Sequence, residues 1–102
     1  MMLAEYLQRH IQWSQRTFGS GMKTVGITRH IEKECQEIRE DPSDLTEWID
    51  VMILAMDGYW RHGGQPAELF WALVEKQNIN FARKWPTDQH DDQPTEHVKE
   101  SA

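Results

Sequence analysis

Apolar residues recur at three- and four-residue steps through most of the chain, and no run alternates apolar with polar residues as a half-buried strand would. Leu3, Tyr6, Leu7, His10, Ile11 and Ser14 follow helical steps within a predicted helix over residues 2–17, and Phe18-Gly19-Ser20-Gly21 ends it with two glycines. A second helix is expected from about Gly26 to Glu40, capped near Thr24, with Ile27, Ile31, Cys35 and Ile38 as its buried stripe. Asp41-Pro42-Ser43 stops it, Ser43 or Asp44 caps a third helix, and Gly63-Gly64 terminates that helix after about His62. Leu45, Ile49, Met52, Met56 and Trp60 share one side of the third helix, which predicts a central place in the fold. A fourth starts at Pro66, a favourable first-turn proline, and passes through Leu69, Phe70, Leu73, Val74, Gln77 and Phe81 to about Arg83. The pattern predicts an all-α, four-helix bundle.

Acidic residues interrupt these apolar faces. Glu34 and Glu37 lie three apart on the second helix, as do Glu47 and Asp50 on the third, so each pair projects its oxygens to one side, about one turn apart. Glu34 falls inside the apolar stripe, with His30 and Glu37 flanking it, and is expected to be poorly hydrated. Glu47, Asp50 and Asp57 share the other side of the third helix with Leu54. Clustered, desolvated carboxylates repel one another and stay protonated unless cations neutralise them. Oxygen-only ligands suit a hard divalent ion, Mg²⁺ or Mn²⁺. The competing reading is a set of solvated salt bridges with Arg29 or Lys33, and for Glu47 a capping box with Asp44.

Length and charge narrow the field. A chain of 102 residues is one small domain, and its five Trp and five Met supply large apolar side chains, some of them suited to a subunit interface. Asp88, Asp91, Asp92, Glu96 and Glu100 face only Lys99 after residue 85, so most of the formal charge of −6 sits in a polar tail. We divide the chain into a folded domain, 1–86, and an acidic tail, 87–102, expected to be disordered or loosely docked, with His90 and His97 solvated. No basic face exists to neutralise a phosphate backbone, so duplex nucleic acid is not an expected partner. Cys35 is the only cysteine, which excludes an internal disulfide. No apolar run approaches the ~20 residues that span a bilayer, and the first residues lack a signal-peptide core; a cytoplasmic location is expected.

His30-Ile31-Glu32-Lys33-Glu34-Cys35-Gln36-Glu37-Ile38 followed by Glu47-Trp48-Ile49-Asp50-Val51 resembles the E-x-x-E then E-x-x-D signature of the MazG-like, all-α nucleoside triphosphate pyrophosphohydrolases. The likeness extends to Gln12-Trp13-Ser14, Thr17-Phe18-Gly19, the run from Asp57 to Gly63 and the run from Lys76 to Trp85. These look like the phage and prophage subgroup acting on dATP and dGTP. It covers about residues 10–86. The resemblance implies a MazG-like bundle in which Glu34, Glu37, Glu47 and Asp50 bind Mg²⁺, with Mn²⁺ able to substitute, and Lys76, Asn80 and Arg83 contact the triphosphate or sugar. Nine residues separate Glu37 from Glu47, short for many MazG proteins, so MazG's own substrate preference does not transfer.

The expected reaction is water attack at the α-phosphorus of a purine deoxynucleoside triphosphate, giving the monophosphate and pyrophosphate. Glu37, or secondarily Glu34, is the expected proton acceptor. Trp13 is a candidate for stacking on the base, with core or interface packing as the alternative. A homodimer or homotetramer is expected to complete the bundle. The alternative function is a non-catalytic helical module that binds nucleotide or protein. A di-iron or di-manganese carboxylate bundle needs Glu-x-x-His motifs, and the chain has none.

Overall fold

The computed structural model describes residues 2–87 and 92–99, and the tail residues Asp88, His90, Asp91 and Glu100 lie outside them. Four α-helices follow in order, α1 Leu3–Phe18, α2 Thr24–Glu40, α3 Leu45–Arg61 and α4 Leu69–Ala82, with one 3₁₀ turn, Pro66–Glu68, before α4. The described residues contain no strand. Among the described residues, no helix is long and apolar enough to cross a membrane. The chain divides into two compact units, Met1–Leu69 and Phe70–Ala102.

In the first unit α2 and α3 make the most extensive pairing, and α1 packs on α3 and on the 3₁₀ turn. The turn between α2 and α3 is fixed locally. The Asp44 carboxylate caps α3 by accepting from Thr46 N at 3.1 Å, while Trp48 Nε1 donates to Pro42 O at 3.1 Å. Gly19 ends α1 at φ +81° and ψ −173°, a conformation that strongly favours glycine, and its N–H returns to Gln15 O. A Cβ at Gly64 would run into the Tyr59 ring, which would have to move to admit it.

The interior of this unit is unusually polar. Leu7, Ile27, Ile38 and Leu69 are buried, and so are His10, Ser14, Glu34, Asp57 and Arg61. Buried polar groups must be paired or bind something, so that interior is where chemistry is to be sought. The apolar side of α3 is turned inward only in its second half, where Met56 and Trp60 are half-buried. Leu45, Ile49 and Met52 are exposed, whereas Asp57 and Arg61 of the same helix are buried. Helix α3 turns toward its neighbours the side that carries the acids, because its pairing with α2 brings Gly58 against Ile27.

In the second unit α4 exposes Phe70, Trp71, Leu73, Ile79 and Phe81. Its C-terminal end is tied by short-range bonds: Arg83 Nη1 donates to Asn80 Oδ1 at 3.3 Å and Trp85 Nε1 to Asn80 O at 2.8 Å. The described part of the tail meets the same place, with Val98 N donating to Lys84 O at 2.7 Å and the His97 ring edge-on to Trp85 at 6.0 Å.

Candidate active site

Glu34 and Glu37 come from one face of α2 and Glu47 from the first turn of α3. One carboxylate oxygen of each lies within 4.8 Å of the others. Glu34 is buried and the other two are half-buried. Asp50 is exposed; it is not in this group of three but lines the cavity that opens beside it. Glu47 does not reach back to cap α3; the cap comes from the Asp44 side chain.

Two oxygens in the cluster, Glu34 Oε2 and Glu47 Oε2, are buried without a hydrogen-bond partner. Among the described residues, no Lys or Arg pairs with these acids, and the basic side chain beside them is His30, whose Nε2 is 3.2 Å from Glu34 Oε1. The nearby Glu34 carboxylate, burial and then Glu37 push the Glu47 carboxyl up to about 7. The contact with Glu47 lowers Glu34, aided by Glu37 and His30 and opposed by burial. Converging hard oxygen donors, two of them orphaned, fit a divalent cation.

Glu34 also lines a half-open cavity of about 590 Å³ formed by residues of the first unit. Trp13, Phe18, Ile27, Ile53 and Leu54 give it apolar wall, and His10, Ser14, Lys23, His30, Asp57 and Arg61 contribute polar groups. This volume suits a small organic ligand. Trp13 sits between His10 and Phe18, its ring 5.8 Å from the first and T-shaped at 5.4 Å to the second.

The far wall is built on Asp57. Its Oδ1 accepts from Ser14 Oγ at 2.7 Å and Trp60 Nε1 at 2.7 Å, and lies 2.8 Å from His10 Nε2; its Oδ2 accepts from Arg61 Nε at 2.8 Å. Burial raises the Asp57 carboxyl, but the bonds from Ser14, Arg61, Trp60 and His10 together outweigh it and hold the group at about 2. Arg61 is spent in the same network. Its Nη1 donates to Gly19 O and Gly21 O, both at 2.9 Å, and its Nη2 to Ser14 Oγ at 2.8 Å, which ties the α1–α2 loop to α3.

The sequence reading grouped Asp57 with Glu47 and Asp50 as one acidic side. The structure gives Asp57 a separate task, because α1 supplies its partners. The available signal was an acid and an arginine at (i, i+4) on α3 with His10 and Ser14 at the same spacing on α1. Lys76, Asn80 and Arg83 lie on or just after α4 in the second unit, Lys76 exposed and the other two half-buried.

The model of the dATP/dGTP pyrophosphohydrolase family matches residues 6–102. The chain is 39% identical over 93 residues to the Eaa protein of Salmonella phage P22, a match covering 91% of this chain and 29% of that relative. The chain therefore spans less than a third of the length of the curated relative that it matches. No solved structure matches it. Acidic cluster, adjoining cavity and a family match over nearly the whole chain agree, and the chain belongs to the dATP/dGTP pyrophosphohydrolase family.

Proposed function

We propose that this chain hydrolyses a purine deoxynucleoside triphosphate, dATP or dGTP, to the monophosphate and pyrophosphate. The observation that carries this reading is the carboxylate cluster with two orphaned oxygens, one member of which, Glu34, lines a cavity of about 590 Å³ together with Asp50. Glu34, Glu37 and Glu47 would hold Mg²⁺, with Asp50 entering as a further ligand from the cavity rim; Mn²⁺ would substitute. Bound there, the ion supplies positive charge to the phosphate oxygens and lowers the pKa of water.

The protein's own groups do the rest. Glu37, half-buried at the cluster, accepts a proton as the water oxygen bonds to the α-phosphorus and the bond to the bridging oxygen breaks. Pyrophosphate takes the electron pair. Trp13 offers an aromatic face to the base, and Lys76, Asn80 and Arg83 are assigned to the triphosphate or sugar by family resemblance. A homodimer or homotetramer would cover the apolar residues that α3 and α4 expose. The substrate is the free nucleotide pool of a bacterial or phage-infected cytoplasm.

Incubation of the purified protein with each dNTP and Mg²⁺, with products resolved by chromatography, tests the reading. Monophosphate and pyrophosphate in equal amounts are expected; orthophosphate release, or no turnover of any nucleotide, overturns it. Sedimentation velocity tests the assembly.

A further inference from the structure

His10 is 8% exposed, lines the cavity and has a single protein hydrogen-bonding partner among the described residues, Asp57 at Nε2. Asp57 is ionised and can only accept, so Nε2 carries the hydrogen. In the neutral ring Nδ1 is then a bare acceptor. It is not among the buried atoms sealed away without a partner, which are Glu34 Oε2 and Glu47 Oε2. Ser14, Trp60 and Arg61 are already engaged by the Asp57 network, so they have less to offer a ligand. His10 is thus left with a free acceptor position at this end of the cavity, where Lys23, the other polar group there whose side chain makes no bond among the described residues, can only donate.

Its distance from the carboxylates indicates what it meets. Gly58, next to Asp57, packs on Ile27, so the level of the His10–Asp57 bond is marked on both helices. At 1.5 Å per residue that level is about 10 Å from Glu34 along α2 and about 15 Å from Glu47 along α3. A nucleotide held by its α-phosphate at the carboxylates extends over an interval of this order, and the second ring of a purine carries its outer edge further toward His10 than a single-ring base reaches. The walls between are apolar or aromatic: Ile27, Leu54, Trp13 and Phe18.

We propose that His10 is the base-reading residue of this site, its Nδ1 accepting an N–H from the outer edge of a purine whose phosphates lie at Glu34, Glu37 and Glu47. Asp57 is then a positioning residue, setting the tautomer and holding the ring. The inference rests on the hydrolase reading above for the direction in which the nucleotide lies. It predicts discrimination against a purine with no edge N–H to give, because an unanswered polar group on the wall must stay desolvated.

The probe is the deoxynucleoside triphosphate of unsubstituted purine, which keeps both rings and lacks every edge N–H. Wild-type protein should favour the better of dATP and dGTP over this analogue by about tenfold or more in kcat/KM, and His10→Phe should bring the ratio close to one. Equal rates for the wild type, or a ratio kept by a folded His10→Phe, overturn the proposal. Ring ¹⁵N spectra of the wild type decide it without a variant and without turnover. The Nδ1 signal of the Nε2–H tautomer should move upfield with dAMP or dGMP and stay near its free position with the unsubstituted monophosphate. No movement with any of the three, or the same movement with all, sinks it. Absence of turnover with every dNTP would remove the hydrolase reading, while these spectra still decide His10.

Discussion

Asp57 and Arg61 lie one turn apart on α3, joined at 2.8 Å between Oδ2 and Nε with both residues buried, and together they connect α1, the α1–α2 loop and α3. A pair at this spacing on a solvated helix face contributes little. Here each charge is enclosed, and each has further partners that exist only when the helices are assembled.

Replacing Asp57 by Ala should therefore be severe. It leaves the Arg61 guanidinium buried without its counter-charge and Ser14, Trp60 and His10 without their acceptor. A loss of about 3–5 kcal/mol is expected, read as a fall of at least about 10 °C in Tm by calorimetry. A fall of only one or two degrees would show that the network does not hold the fold.

The same group sets acid stability. Asp57 is depressed from 3.8 to about 2, so its contribution is present above its unfolded value and lost as pH falls from about 4 to about 2. Allowing for partial hydration, about 1–2 kcal/mol is at stake. Urea unfolding at pH 6, 4, 3 and 2 should show the decline, and Asp57→Asn should show a shallower one.

Glu47 predicts the opposite dependence in metal-free protein. Its carboxyl is raised from 4.5 to about 7, so its contribution is present below 4.5 and is lost as pH rises toward 7, where Glu47 ionises beside Glu34 and Glu37. Metal binding must then expel that proton. Mg²⁺ or Mn²⁺ affinity should climb with pH and level off above about 7, and calorimetric heats should differ between buffers of unlike ionisation enthalpy. Glu47→Gln should raise the metal-free Tm at pH 8 while reducing the further rise that metal gives the wild type.

Glu37→Ala removes the proposed proton acceptor and one oxygen donor. A fall in kcat of at least about 10²-fold is expected, with circular dichroism unchanged, because the bond Glu37 gives α2, from Asp41 N to its carbonyl, is a backbone bond that Ala keeps. Activity within a few-fold of wild type would assign the proton to another group, Glu34 first.

Helix extents were readable locally. The α1 pattern, the Asp44 cap, the Asp41-Pro42-Ser43 stop and Pro66 each act within a few residues, and α1, α2 and α3 run as expected to within about two residues; the fourth opens with a 3₁₀ turn instead of α-helix. The placement of Glu34 within the stripe of Ile27 and Ile38 was likewise legible, since both depend on one helix's rotation. Periodicity could not choose the inward side of α3. Its apolar stripe through Leu45, Ile49 and Met52 is stronger by hydropathy than the side that is buried. That choice depends on partners more than forty residues away: His10 and Ser14 on α1 make burial of Asp57 and Arg61 tolerable by satisfying them.

By itself, then, the sequence determined the four helices, the presence of two acidic pairs at one-turn spacing and the resemblance that named the family. Tertiary structure alone decided that Glu34, Glu37 and Glu47 converge while Asp50 stays at the rim, and that Asp57 belongs to a different wall from the acids it follows. The physical reason is range. Helix formation and capping are satisfied within a turn or two, whereas a buried charge is tolerated only by groups from other helices, and a one-helix pattern carries no record of which of its faces those groups will meet.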